Sequence, residues 1–114
     1  MIVHNVDFKF EDDEFGINYF VNSELRQCAL ERFEEQGVEE LWYYYGAGSY
    51  EGTGYALMRV GDKWDGVSLG HCSCNDPGDD VTFCGDDAAK FLLNASAQYL
   101  KENRVLLVAA GLAA

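Results

Sequence analysis

The residues best suited to chemistry form a short cluster of cysteine and histidine in the second half of the chain. His71, Cys72 and Cys74 lie close together, and Cys84 follows ten residues after Cys74. Thiolate and imidazole are the ligands that structural zinc prefers, so these four side chains could complete a tetrahedral Cys3His site. Zinc sites usually contain two cysteine pairs with about two to four residues inside each pair, whereas one residue separates Cys72 from Cys74. The cysteines are therefore interpreted as small apolar side chains in a tight turn, with no cofactor, and a zinc-stabilised module is the alternative.

The same spacing gives little support to cysteine catalysis. A redox pair usually has two intervening residues and lies at a helix N-terminus, which lowers the pKa of the thiol. In an extended segment, the side chains of His71 and Cys72 point to opposite sides, so the histidine cannot act as a base for its neighbour. We therefore expect no enzymatic activity, and a small cysteine-dependent enzyme remains a further alternative.

The segment 46–54 is rich in glycine and resembles a phosphate-binding loop only in composition. It contains no lysine, and no predicted helix follows it whose N-terminus could face a phosphate. The segment is therefore predicted to be a connector between two strands.

Charge is the most unusual bulk property of the chain. Twenty acidic residues face eight lysines and arginines, for a net charge of −12. Such a surface repels phosphate, so we expect neither direct nucleic-acid binding nor binding to an anionic membrane. Residues 1–40 hold eleven acidic and three basic side chains, a net charge of −8, which places an acidic face on the N-terminal half. The candidate partner-binding residues are Asp12, Asp13, Glu14, Glu31, Glu34, Glu35, Glu39 and Glu40.

Alternating apolar residues predict most of the strands. Residues 2–11 and 15–21 alternate on either side of Asp12-Asp13 and predict an antiparallel hairpin. Residues 55–60 and 63–69 flank Gly61-Asp62, which predicts a second hairpin with a two-residue turn. The aromatic run Leu41–Tyr45 does not alternate, which is typical of an inner strand covered on both faces. If one face were uncovered, its aromatic side chains would form a binding patch.

Helical spacing predicts two helices. The first spans about residues 23–36 and ends at Gly37, with Phe33 and Val38 at the two positions that touch in a Schellman closure. The second begins after Asp86-Asp87 and continues to about residue 102. The apolar tail 105–114 is compatible with either a strand or a helix.

These elements predict one α+β domain over residues 1–114. Their order is β-β-α-β-β-β-α, which suits an antiparallel sheet of about five strands with two helices packed on one face. The apolar tail is about half as long as a membrane span. The first five residues lack the basic start and apolar stretch of a secretory signal, so we expect a reducing cytoplasmic compartment.

Three segments carry a resemblance to a group of proteins. They are YGAGSYEGTG at 45–54, GHCSC at 70–74 and LNASAQY at 93–99, and together they resemble small bacteriophage proteins with a YGSYEG-like segment and an HCSC turn. The resemblance covers about residues 42–100. It implies a phage origin and action in the cytoplasm of a bacterial host, and it brings no catalytic residue with it.

The hypothesis that follows is a protein-binding inhibitor. Its carboxylates would occupy a basic surface on a host protein, such as the nucleic-acid groove of a defence enzyme, in place of nucleic acid. Anti-CRISPR and anti-restriction activity both belong to this class.

Overall fold

The computed structural model describes residues 1–6, 16–17, 24–47, 52–69 and 82–113. It confirms an α+β architecture, with six strands and four helices in these ranges. The strands are β1 (Ile2–Asn5), β2 (Gly16–Ile17), β3 (Glu40–Ala47), β4 (Gly52–Val60), β5 (Lys63–Ser68) and β6 (Asp86–Asp87). The helices are α1 (Glu24–Glu35), α2 (Ala88–Asn94), α3 (Ala97–Glu102) and α4 (Arg104–Ala109).

The sheet is mixed, with β3 and β4 at its centre and the order β1-β3-β4-β5-β6. The predicted hairpin β4–β5 is confirmed: Val60 pairs with Lys63 across Gly61-Asp62, and Gly61 has a φ of 59°. This turn needs a residue that accepts positive φ, and glycine does so without strain.

Most of the predicted antiparallel hairpin, residues 7–11, 15 and 18–21, lies outside the described ranges, and the described residues of its two strands pair with β3 instead of with each other. β1 pairs in parallel with β3, with Ile2 opposite Glu40. β2 pairs antiparallel with the far end of the same strand, with Gly16 opposite Ala47. Alternation of apolar and polar residues indicates that a strand has one buried face, but it does not indicate which strand pairs with it.

Helix α1 ends as its sequence predicts. Gly37 has a φ of 79°, its N–H donates to Glu34 O at 2.9 Å, and the N–H of Val38 donates to Phe33 O at 3.2 Å. These two bonds form a Schellman motif, and Phe33 and Val38 are both buried in one apolar cluster. The closure fixes the direction in which the chain leaves α1 and enters β3.

The second predicted helix is divided. Asp87 caps α2 as predicted, because its side chain accepts from the N–H of Lys90 at 2.9 Å. The helix ends at Asn94, and Ser96 begins α3 by accepting from the N–H of Tyr99 at 3.0 Å. Ser96 lies within the apolar pattern that predicted one long helix, but it is the N-cap of a new helix and not an interior residue. The apolar tail 105–114, for which the sequence allowed either a strand or a helix, is helical at its start, where it belongs to α4.

The helices cover both faces of the sheet, so the prediction that they pack on one face is wrong. Leu30 and Phe33 of α1 pack against Leu41 and Tyr43 of β3. On the other face, the core comprises Trp42, Tyr44, Leu57, Phe91, Leu106 and Leu107, with α2 and α4 supplying the last three. β3 is apolar on both sides and requires a cover on each.

None of the helices in the described ranges is long and apolar enough to cross a membrane.

Candidate functional site

One flank of α1 carries three of the exposed acidic residues of the described chain. Glu31, Glu34 and Glu35, which we call the acidic flank, are all exposed. Residues three and four apart on a helix share a face, so these carboxylates project together while Leu30 and Phe33 are buried. The structure thus brings three of the eight sequence-predicted residues onto one surface.

Glu39 and Glu40 are not part of the acidic flank, and Arg59 of β4 contacts both. Arg59 Nη2 lies 3.2 Å from Glu40 Oε1, and Arg59 Nη1 lies 3.4 Å from Glu39 Oε2. The pairing follows from the register of β3 with β4, which sets Glu40 opposite Arg59. Their negative charges are partly neutralised within the fold.

Glu40 has a second partner in His4 of β1. His4 Nε2 donates a hydrogen bond to Glu40 Oε2 at 2.7 Å. The imidazole also stacks on Trp42 with 5.2 Å between ring centroids, and Trp42 stacks on Trp64 of β5 at 5.5 Å. The three rings come from β1, β3 and β5, and their row spans β4 as well on one face of the sheet, which holds the histidine in place.

The electrostatic effect of this cluster is visible at Glu40. The hydrogen bond from His4 is the largest cause and lowers the pKa of Glu40; burial opposes it, and hydrogen bonds and charge from Arg59 lower the pKa further. The native state therefore holds Glu40 ionised at lower pH than the unfolded chain does. Its stabilising contribution is present above the ordinary glutamate pKa of 4.5 and is lost as pH falls through the lowered native value.

We expect Glu40→Gln to lower the free energy of unfolding by about 1 kcal/mol at pH 7, because two charge-assisted partners lose their carboxylate. The difference from wild type should shrink as pH falls well below 4.5, where both states protonate Glu40. Urea denaturation at neutral and acidic pH measures both quantities. Glu35→Gln is the matched control, since Glu35 is exposed and should show no such loss at pH 7.

The remaining predicted site residues lie largely outside the described ranges. This applies to Asp12, Asp13 and Glu14 of the partner-binding set and to His71, Cys72 and Cys74 of the zinc alternative. Cys84 is described and exposed, and its N–H donates to Asp65 Oδ2 at 2.8 Å. Within the described ranges no three His, Cys, Asp or Glu side chains are grouped so as to hold a metal ion. The zinc interpretation stays a prediction.

The aromatic run of β3 is not an exposed binding patch. Each residue from Trp42 to Tyr45 is at most 6% exposed, and both faces of the strand are covered. The interpretation as a fully covered inner strand is confirmed. Its polar atoms are used internally: the hydroxyl of Tyr44 donates to Asn103 Oδ1 at 3.0 Å.

Sequence reasoning missed the basic partners of the acidic residues. Arg59 and His4 lie 19 and 36 positions from Glu40 in the chain, and only the sheet brings them together. Arg59 lies opposite Glu40 through the register of β3 with β4, and the predicted Gly61-Asp62 hairpin, which joins β4 to β5, does not determine that register. The parallel pairing of β1 with β3 left no signal in the sequence either.

Comparison of the chain with protein-family models, curated proteins and solved structures finds no match.

Proposed function

We propose that this protein is an acidic binding module that occupies a basic surface of a partner protein, with the acidic flank of α1 as part of the contact. The partner class that fits is a nucleic-acid-binding protein of a bacterial host, such as a defence enzyme, whose lysine and arginine groove the carboxylates would fill. The observation that carries the proposal is the placement of Glu31, Glu34 and Glu35 on one exposed helical face of a chain with net charge −12.

The position of these residues within α1 supports a role in binding. Glu34 and Glu35 lie in the last turn, where the negative end of the helix dipole disfavours carboxylates. Neither side chain has a hydrogen bond or ion pair with another described residue to offset that cost. Helix stability therefore does not account for them, and this supports a role in attracting an external cation.

A binding experiment with a salt series tests the proposal. Immobilised protein should capture a basic partner from bacterial lysate at low salt and release it at high salt, because exposed charges are screened. The captured protein should lose nucleic-acid binding when this protein is added. Glu34→Gln and Glu35→Gln should each weaken capture several-fold, since each removes one charge from the contact.

Glu102→Gln is the matched control for that experiment. Glu102 belongs to α3, which lies on the opposite face of the sheet from α1, and the substitution also removes one charge. Equal effects of Glu102→Gln and Glu34→Gln would show that net charge alone governs capture. That result, or capture that is indifferent to salt, would contradict the proposed contact.

The same variants should change stability in the opposite direction to binding. We expect Glu34→Gln and Glu35→Gln each to raise the free energy of unfolding by about 0.3–1 kcal/mol, because each removes a carboxylate from the negative end of a helix. Urea denaturation at low ionic strength measures the gain, and added salt should reduce it. A loss of stability would mean that these carboxylates have partners within the fold.

A further inference from the structure

Strand β1 lies at one end of the described strand order and pairs with a single described strand. It pairs in parallel with β3 over four residues, from Ile2 opposite Glu40 to Asn5 opposite Tyr43. Such a terminal strand can open with the loss of one row of hydrogen bonds, whereas a central strand must lose two. Local opening of β1 therefore needs less free energy than unfolding of the whole domain.

Apolar packing holds β1 less firmly than it holds β3. Ile2 is 57% exposed, and Val3 and Val6 are partly buried, each against a different apolar cluster. The side chains of β3 from Leu41 to Tyr45 are at most 6% exposed. Polar contacts therefore make a larger relative contribution to the closed position of β1.

One carboxylate joins β1 to two other strands. Glu40 Oε2 accepts from His4 Nε2 at 2.7 Å, and Glu40 Oε1 accepts from Arg59 Nε at 3.3 Å and Nη2 at 3.2 Å. Arg59 has further partners, since its Nη1 donates to Gly61 O at 2.7 Å and lies 3.4 Å from Glu39 Oε2. The imidazole of His4 has Glu40 as its polar partner among the described residues. Loss of the Glu40 charge would therefore leave Arg59 tethered and His4 without a polar contact.

We propose that Glu40 is an acid-sensitive latch for β1: protonation of its carboxylate lets β1 open while the rest of the sheet stays folded. The charged groups around it in the described chain are His4 of β1, Arg59 of β4 and, through Arg59, the carboxylate of Glu39. In acid both the imidazole and the guanidinium carry positive charge, and a neutral carboxyl between them no longer offsets their repulsion.

The pH range of the latch follows from the lowered pKa of Glu40. The hydrogen bond from His4 is the largest cause that keeps this pKa below its ordinary value of 4.5 in the closed state. Opening removes that partner, so the open state takes up the proton at higher pH than the closed state does. The contribution of the latch is therefore fully present above pH 4.5 and is lost as pH falls through the lowered value.

Opening of β1 uncovers surface that the closed sheet hides. The imidazole of His4 stacks on Trp42 with 5.2 Å between centroids and 14° between planes, so its departure exposes one face of the indole. Opening also leaves the edge of β3 from Glu40 to Tyr43 without its parallel partner. Because a free strand edge can pair with an extended segment of another chain, the open state offers a pairing edge at β3 that the closed state lacks.

Hydrogen exchange followed by NMR at pH 7 tests whether β1 opens separately. The N–H of Val6 donates to Tyr43 O at 2.8 Å and reports closure of β1, while the amides of β4 report the centre of the sheet. We expect the protection factor of Val6 to lie at least about tenfold below the highest in β4 and to be nearly independent of low urea, because local opening exposes little surface. Equal protection with equal urea dependence would mean that β1 opens only with the whole domain, which would overturn the proposal.

Two variants connect the opening to the latch. At pH 7 Glu40→Gln should lower the Val6 protection factor about five- to tenfold, since the charge-assisted bond from His4 is lost. His4→Gln should have a similar effect, and the double variant should add little to either, because both substitutions remove the same contact. Additive effects would mean that His4 and Glu40 do not act as a pair and would contradict the latch.

An acid series gives the decisive comparison. Between about pH 6 and pH 3 the Val6 protection factor of wild type should fall at least about fivefold more than that of Glu40→Gln, which has no group to titrate at this position. Protection of β4 should persist where Val6 loses its own. An equal fall in both proteins, or simultaneous loss of protection in β1 and β4, would overturn the proposal.

Glu35→Gln is the matched control, because Glu35 is exposed on α1 and the substitution also removes one charge. It should leave the Val6 protection factor unchanged within about twofold at pH 7 and keep the wild-type acid response. Equal effects of Glu35→Gln and Glu40→Gln would show that net charge governs opening, contrary to the proposal. None of these outcomes depends on capture of a partner by the acidic flank.

Discussion

Replacing Gly54 with alanine should lower the free energy of unfolding by about 3 kcal/mol or more, which is at the upper end of the range for overpacking. A Cβ at this position would lie 2.2 Å from the carbonyl oxygen of Tyr44 and 2.9 Å from the Cα of Tyr45. Both are backbone atoms of β3, which pairs on both edges and is covered on both faces. The strand has no free direction in which to move, so the clash must break pairing between β3 and β4.

Gly37→Ala provides the matched control for this experiment. Gly37 has a φ of 79°, but a Cβ there would meet nothing within 4 Å, so only the backbone conformation is penalised. That penalty is about 1–2 kcal/mol. Urea denaturation followed by tryptophan fluorescence compares the two variants, and Gly54→Ala should be clearly the less stable. Equal losses would mean that β3 can yield to the added methyl group.

The role of Gly54 also changes the interpretation of the glycine-rich segment. Composition predicted a connector over 46–54, whereas β3 continues to Ala47 and β4 begins at Gly52. Glycine within a strand can mark close approach of another backbone, and at Gly54 the neighbouring backbone is that of β3. Composition could not distinguish a flexible loop from tightly paired strand ends.

The parts of the fold that were predictable depend on residues close together in the chain. The Schellman closure at Gly37, the turn at Gly61-Asp62 and the cap at Asp87 each involve contacts across five positions or fewer. Local chemistry determines such features, and the sequence therefore contains their signal. The position of β1 beside β3 depends instead on pairing across 38 positions, from Ile2 to Glu40, for which alternation carries no information.

In the candidate site too, the features that depend on neighbouring residues were predictable and those that depend on distant contacts were not. Exposure of the acidic flank could be expected from the helical spacing of Glu31, Glu34 and Glu35 around buried neighbours. Neutralisation of Glu40 could not, because its partners come from β1 and β4. Counting charges overestimates a binding surface until their internal pairs are known.

Asn103 has the second large expected effect. It is fully buried between α3 and α4, its Oδ1 accepts from the hydroxyl of Tyr44, and its Nδ2 donates to Tyr99 O at 3.1 Å. Burial raises the pKa of Tyr44, so this hydroxyl stays protonated and remains a donor. We expect Asn103→Ala to lower the free energy of unfolding by about 3 kcal/mol, from the lost buried hydrogen bonds together with the small void left behind. Urea denaturation measures the loss.

A double-mutant cycle with Tyr44→Phe shows whether the hydrogen bond itself is responsible. In the wild-type background Tyr44→Phe should cost about 1–2 kcal/mol, because Asn103 Oδ1 is left in the core without this donor. In the Asn103→Ala background the same change should be nearly neutral, giving a coupling energy of about 1 kcal/mol or more. Additive losses would assign the effect of Asn103 to helix packing alone. A large coupling would mean that one polar contact from the sheet fixes the α3–α4 junction.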